Sequence, residues 1–232
     1  MGRPDSISAA VEDYAKAIYA LQVGGHGPVT NNAVAERLGV SAASASNMVK
    51  KLVGLGLVEH VPYRGVELTD GGRRVALEVL RHHRLLELYL SQSLGVPWDR
   101  VHDEAEVLEH HISEELEELI ANALGNPTRD PHGDPIPTRD LEIAEDSAAT
   151  LDSLEPGQQG RFTRVSDHDP EMLRYLAQRG IAPGDGFEVV DKQPFGGPLF
   201  VRFGGGEVHV IGGLLATAMR VETRSAVGAS EA

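Results

Sequence analysis

Residues 101–111 of this 232-residue chain read VHDEAEVLEHH. Glu106, Glu109 and His110 stand there at i, i+3 and i+4, a spacing that predicts three side chains converging from one face of a helix. His102 lies one turn before Glu106, and His83 and Glu87 form a further i, i+4 pair upstream. Glu12 and Asp13 place two more carboxylates near the N-terminus. Carboxylate oxygens with an imidazole suit hard divalent cations such as Mn²⁺ or Fe²⁺, whereas thiolate and thioether favour softer ions. The chain contains no cysteine, which excludes a disulfide framework, a thiolate nucleophile and any Cys-ligated zinc or iron–sulfur centre. A solvated acidic face explains any one of these residues, but it explains the whole set less well. The rival chemistry is a metallohydrolase, which would need an open coordination position, an oriented base and a substrate cleft.

The formal net charge is −14, which at first argues against a phosphate-binding protein. Its distribution changes that reading. Residues 1–75 carry a net +1, residues 76–150 carry −12 and residues 151–232 carry −3. His82, His83, His102, His110 and His111 are among the histidines of that acidic middle, whose potential attracts divalent cations. With 41% hydrophobic and 24% charged residues the composition is globular. No run reaches the roughly 18–20 apolar residues of a membrane helix, and MGRPDSIS lacks a signal-peptide core, so a cytoplasmic protein is expected.

The elements that must position these side chains follow from periodicity. Val11, Tyr14, Ala15, Ile18 and Leu21 predict a helix over 9–21 with one buried face, broken by Gly24, Gly25, Gly27 and Pro28. Thr30 can cap a short helix over 31–38 that ends at Gly39, and Ser41 can cap the next, to about Gly54. Met48, Val49, Leu52 and Val53 form the inner face of that helix. Strands at 57–60 and 66–69 flank the turn Pro62-Tyr63-Arg64-Gly65. This is the element order of a winged helix-turn-helix. Asp70 can cap a long helix from Gly72 to about Leu94. Residues 101–113 and 114–124 continue the helical pattern, with Leu108, Ile112, Leu116, Leu119 and Ile120 as a buried stripe. The proline-rich stretch 125–139 is expected as an extended loop. Five short strands between glycines, interrupted by a helix over 170–179, indicate a small SH3-like barrel. The expected organisation is therefore mainly α with a small all-β domain. It comprises a winged helix-turn-helix at 1–75, a helical domain at 76–139, a linker at 140–155, a barrel at 156–224 and a disordered tail at 225–232.

With these motifs in place, the chain resembles the diphtheria toxin repressor family of metal-dependent regulators, and within it the manganese branch. The resemblance rests on EDYAKAIYAL at 12–21, the helix-turn-helix, RHHRLLE at 81–87, VHDEAEVLEHH at 101–111, GDPIP at 133–137 and the barrel. It implies an N-terminal DNA-binding domain, a helical metal-binding and dimerisation domain, an SH3-like (FeoA-like) C-terminal domain and no enzyme activity. The regulatory metal site it implies falls on Asp13, Glu106, Glu109 and His110. The iron branch has methionine at the position of Asp13 and cysteine at that of Glu106, so two carboxylates here point to manganese. An ancillary site maps onto His83, Glu87 and His102, with Asp169 and Met172 added from the barrel. Some manganese sensors carry glutamate at the position of Lys16 and build a two-metal cluster with it. A charged Lys16 cannot ligate, so two separated ions per chain are expected, with Fe²⁺ as the alternative to Mn²⁺.

The DNA contacts implied by the resemblance are Ser41, Ala43, Ser44, Ser46, Asn47, Lys50 and Lys51 on the recognition helix. Arg37, Tyr63 and Arg64 would reach phosphates. Small side chains there leave specificity to close backbone approach, thymine-methyl contact and DNA shape. The expected partners are a second copy of the chain and a palindromic operator, with the two recognition helices about one DNA turn apart. No membrane and no small organic substrate are expected. The function implied is a manganese-dependent repressor of metal homeostasis genes; the alternatives are an iron- or zinc-responsive repressor and a metal-independent protein whose barrel binds a proline-rich segment.

Overall fold

The computed structural model describes residues 7–25, 27–144, 148–166 and 169–223. The tail expected at 225–232 lies outside them. The chain divides into two compact units: Met1–His83 with Val107–Glu117 and Pro137–Ile143, and Arg84–Glu106 with Glu118–Ile136 and Ala144–Ala232.

The first unit begins with α1 (Ala9–Gly25), α2 (Asn31–Arg37) and α3 (Ala42–Gly54), followed by strands β1 (Val58–Val61) and β2 (Gly65–Leu68). Helix α1 runs through Gly24 and Gly25, past the break expected there. The two predicted caps hold: the Thr30 and Ser41 side chains accept from the backbone N–H of Ala33 and Ser44. Val11, Tyr14 and Ile18 of α1 pack with Val34, Val49, Leu52, Val58 and Val66 into one core. On α3 the buried positions are Ala45, Val49 and Leu52, at i, i+4 and i+7. A second cluster joins Ala15 and Tyr19 of α1 to Ala76 and Leu77 of α4 (Asp70–Leu94). The cap of α4 is Thr69, whose Oγ1 accepts from the Gly72 N–H at 3.1 Å. Asp70, expected to be the cap, is instead the first helical residue.

Helices α5 (Val101–Leu108) and α6 (Glu114–Ala123) follow. Helix α5 stops five residues short of the predicted end, leaving Glu109 and His110 in a turn closed by the His111 N–H on the Leu108 carbonyl at 2.9 Å. In the second unit, β3 (Ala149–Thr150), β4 (Gln159–Val165), β5 (Gly186–Lys192), β6 (Leu199–Phe203), β7 (Val208–Ile211) and β8 (Met219–Thr223) form one antiparallel sheet in the order β3-β8-β4-β5-β6-β7. Helices α7 (Pro170–Ala177) and α8 (Gly213–Ala218) accompany it; α7 ends two residues early, and α8 was not expected. Phe162, Leu173, Leu176, Val189, Val201 and Met219 fill its core. The stretch read as a linker is folded at its C-terminal end. Ala149 and Thr150 pair with β8, and Leu151 and Leu154 are buried in the barrel core. A strand of two residues has too little alternation to be read from sequence.

Candidate metal centres and nucleic-acid interface

One group of metal-competent atoms comes from Asp13, Glu109 and His110. Asp13 projects from α1, and the turn after α5 supplies the other two. Asp13 Oδ1 lies 2.8 Å and Glu109 Oε1 3.3 Å from His110 Nε2. With metal–ligand bonds of about 2.1 Å, neighbouring donors at right angles are about 3.0 Å apart, so this spacing fits a shared cation. The other face of the imidazole is held by Glu12, whose Oε2 is 2.6 Å from His110 Nδ1. That contact places a proton on Nδ1 and turns Nε2 toward Asp13, the tautomer a metal ligand requires. Hydrogen bonding to Asp13 and Glu12 pushes the His110 pKa up to about 9, with burial opposing and Glu109 adding to the rise.

Glu109 is fully buried. Lys16 Nζ donates to its Oε1 and His83 Nδ1 faces its Oε2, each at 2.6 Å. The lysine is thus already a cation at one of the candidate ligand oxygens. The adjacent His82 reaches the Glu109 carbonyl at 3.1 Å and Glu117 at 2.9 Å. Burial raises the Glu117 pKa, but hydrogen bonds from His82 and Arg81 outweigh it and leave it lowered.

The second unit holds a different group, Glu87, Asp130 and His132, all buried. Glu87 extends from α4, while Asp130 and His132 come from the proline-rich loop. His132 Nε2 donates to the Trp98 carbonyl at 2.8 Å, and the two rings stack with centroids 5.6 Å apart. Nδ1 therefore faces Glu87 Oε2 at 3.6 Å and has no hydrogen-bond partner among the described residues. The spacing is long for a hydrogen bond but natural for two ligands of one cation. Glu87 Oε1 is 3.5 Å from His102 Nδ1. Asp130 Oδ1 accepts from the His132 and Asp134 N–H groups, both at 2.9 Å. Arg84 Nε lies 3.5 Å from Asp130 Oδ2. Burial, then the charges of Asp134 and Glu87, raise the Asp130 pKa well above normal. Burial would lower that of His132, but the Glu87 carboxylate overrides it and holds it at about 9. The loop is fixed to β4: the Val165 N–H donates to the His132 carbonyl at 3.0 Å. Gly133, at φ +89°, leaves no room for a side chain, since a Cβ would stand 1.9 Å from the Thr163 carbonyl oxygen.

Several sequence-based assignments change. Glu109 and His110 converge with Asp13 from a turn, not from a shared helical face. Glu106 lies on α5 in the second unit, 3.9 Å from His102. Of the expected ancillary set, Glu87 and His102 face each other, and His83 also engages Glu109. Asp169 caps α7, its Oδ1 accepting from the Glu171 and Met172 N–H groups. Met172 packs against the barrel core. The motif Asp-Pro-Glu at a helix start signals that cap. Asp130 and His132 escaped sequence reading because an irregular loop has no period.

On the DNA-facing candidates, Ser41, Ala43, Ser44, Asn47, Lys50 and Lys51 are exposed along α3, as are Arg37, Tyr63 and Arg64. Ser46 is half-buried and accepts from Asn31 Nδ2 at 3.2 Å. Ser41 and Ser44 share a hydroxyl contact of 2.9 Å at the cap.

Three family descriptions match consecutive parts of the chain. These are an iron-dependent repressor N-terminal DNA-binding domain at residues 6–66, an iron-dependent repressor metal-binding and dimerisation domain at 69–138, and a FeoA domain at 149–223. The diphtheria toxin repressor of Corynebacterium efficiens is 33% identical over 221 residues, covering 91% of this chain and 94% of its own. The iron-dependent repressor IdeR of Mycobacterium leprae is 33% identical over 202 residues, covering 82% and 87%. A solved manganese-dependent transcriptional repressor in complex with manganese superposes with a TM-score of 0.85 at 42% identity, over 92% of this chain and 100% of that one. No helix among the described residues is long and apolar enough to cross a membrane.

Proposed function

The chain belongs to the diphtheria toxin repressor family of metal-dependent transcriptional repressors, and from that premise we propose that it is a cytoplasmic, homodimeric repressor activated by Mn²⁺. The observation that carries this reading is the convergence of Asp13, Glu109 and His110, with Glu12 orienting the imidazole. All donors are hard oxygens or imidazole nitrogen, which suits Mn²⁺ over softer ions. Glu106 belongs to the proposed ligand set on the resemblance alone. With both imidazoles neutral, Glu12, Asp13 and Glu109 against Lys16 leave two negative charges, matched by one divalent ion. Glu87, His132 and Asp130, with His102 beside Glu87, would hold the second of two ions per chain. His83 is proposed in that ancillary set as well.

Helix α1 links sensing to DNA binding. One of its faces packs Val11, Tyr14 and Ile18 into the core shared with α3, while another presents Asp13 and Lys16 to Glu109 and His110. Asp13, Glu109 and His110 would hold the cation, which would supply the positive charge that these carboxylates lack. His110 would ligate through Nε2 once deprotonated there, Glu12 keeps the ring aligned, and Asp13 would tie α1 to the turn. Each factor of ten gained in the DNA-competent population corresponds to about 1.4 kcal/mol of differential cation affinity. The DNA target is a palindromic operator contacted by α3 of each protomer. Lys50 and Lys51 supply phosphate attraction and Ser44 and Asn47 meet base edges.

The iron-dependent names of the curated relatives give iron as the second reading. Fluorescence anisotropy tests both. The probe is a 30-base-pair duplex that the wild-type chain with Mn²⁺ selects from a randomised pool. Mn²⁺ is expected to tighten binding at a lower free concentration, relative to the cellular range, than Fe²⁺ or Zn²⁺. Asp13→Ala is expected to abolish the response; a full Mn²⁺ response in that variant would overturn the proposed centre.

A further inference from the structure

The wing carries a feature that phosphate attraction does not explain. Its turn is closed by the Arg64 N–H on the Val61 carbonyl at 3.0 Å, with Pro62 and Tyr63 as the central residues. Tyr63 has φ +63°, so the turn has the type II pattern, whose second central position favours glycine or asparagine. An aromatic residue in the left-handed region carries a local steric cost. The strain exposes the side chain completely instead of burying it.

The tip is also stiff. Val29 and Val66 exchange backbone hydrogen bonds of 2.8 and 2.9 Å. Gly65, at φ +123°, presses on Val29, where a Cβ would stand 2.2 Å from the carbonyl oxygen. The hairpin shaft places Glu59 directly opposite Glu67, and two like charges on one face repel a phosphate backbone. Arg64 is drawn back, its Nη2 lying 3.2 Å from where a Gly27 Cβ would be. The foremost group of the wing is therefore an uncharged, rigidly presented phenol. It stands on the hairpin that directly follows α3.

From this geometry we infer that Tyr63 seats in the DNA minor groove beside the half-site read by α3, making a non-ionic contact. This inference rests on the DNA-binding reading above and replaces the phosphate role for Tyr63. The minor groove is about 6 Å wide, so a ring can enter it edge-on. A·T pairs offer only acceptors there, adenine N3 and thymine O2, which match the phenol O–H donor. Guanine adds an amino group that obstructs the ring and competes as a donor. The contact releases no counterion, so its loss changes affinity without changing salt dependence.

The test uses the full chain with Mn²⁺ and the selected 30-base-pair duplex. Tyr63→Gly and Tyr63→Asn relieve the left-handed strain, so their melting midpoints are expected at or above that of the wild type. Their duplex affinity is expected to fall about tenfold at an unchanged log–log salt slope, whereas Lys50→Ala lowers the slope by about one. Replacing flanking A·T pairs by inosine·cytosine, which keeps the A·T minor-groove face, is expected to preserve wild-type binding. Guanine·cytosine at the same positions is expected to weaken the wild type but not Tyr63→Gly. Unchanged affinity in the two stable variants, or an altered salt slope, would overturn the inference while leaving the repressor reading intact. A wild-type chain that selects no duplex would overturn both.

Discussion

The two carboxylate–imidazole groups use similar residues in opposite surroundings. In the first, Asp13 and His110 retain some exposure and the counter-cation is Lys16, an ammonium on a flexible stem that can withdraw. In the second, Glu87, Asp130 and His132 are fully enclosed, Arg84 and Trp98 pack around them, and the loop is bound to β4 through His132 and Gly133. A regulatory site must gain and lose its ion as concentration changes; a structural one benefits from slow exchange. On the proposed function, the first group suits the former and the second the latter.

The largest expected effect separates them by stability. Glu87→Ala leaves His132 and Arg84 buried with less counter-charge and should lower metal-free stability by about 3–5 kcal/mol, read from urea denaturation. Asp13→Ala, at a partly exposed position, should cost under about 1 kcal/mol in the same assay. Equal losses would remove the distinction. Next, Lys16→Met removes the cation competing for Glu109 Oε1. Calorimetry should show about tenfold tighter Mn²⁺ binding at the first centre, equal to about 1.4 kcal/mol, with the second unchanged.

The effect of pH follows from His110 and His132, each held at about 9. Their folded values exceed the unfolded value of about 6.5. The protonated rings therefore stabilise the metal-free fold fully below about pH 6.5, and that contribution is lost as pH rises through about 9. A cation competes with the same protons, so Mn²⁺ affinity at each centre should rise up to about tenfold per pH unit between those limits. A flat affinity profile at the first centre would contradict the assignment of His110. The smallest expected signal is optical. Trp98 is the only tryptophan in the chain, and it stacks on His132, so filling the second centre should change its fluorescence modestly. His132→Ala should abolish that change and Asp13→Ala should not.

The same contrast explains what the sequence could and could not reveal. The capped helices α2 and α3 are legible because Thr30 and Ser41 act on N–H groups three residues away. Helical spacing singles out Glu109 and His110, yet they leave the helix. Their contacts to Lys16, His83, Glu12 and Asp13 outweigh the local propensity to continue it. Glu109 and His110 come together with Asp13, but from a turn and not from a shared helical face. Asp130 and His132 were invisible, because their pairing with Glu87 depends on a loop whose path is set by the barrel. Asp169 shows the converse: its cap of α7 is a local contact that the Asp-Pro-Glu sequence already signals.

The central claim is that the chain has two separated ions in unlike settings, the regulatory one on Asp13, Glu109 and His110. Anomalous diffraction at the manganese edge from Mn²⁺-loaded crystals tests it most directly. The account predicts two peaks per chain, one within bonding distance of Asp13, Glu109 and His110 and one within bonding distance of Glu87 and His132. No peak at the first group, or a bridged pair of ions there with Lys16 displaced, would contradict it.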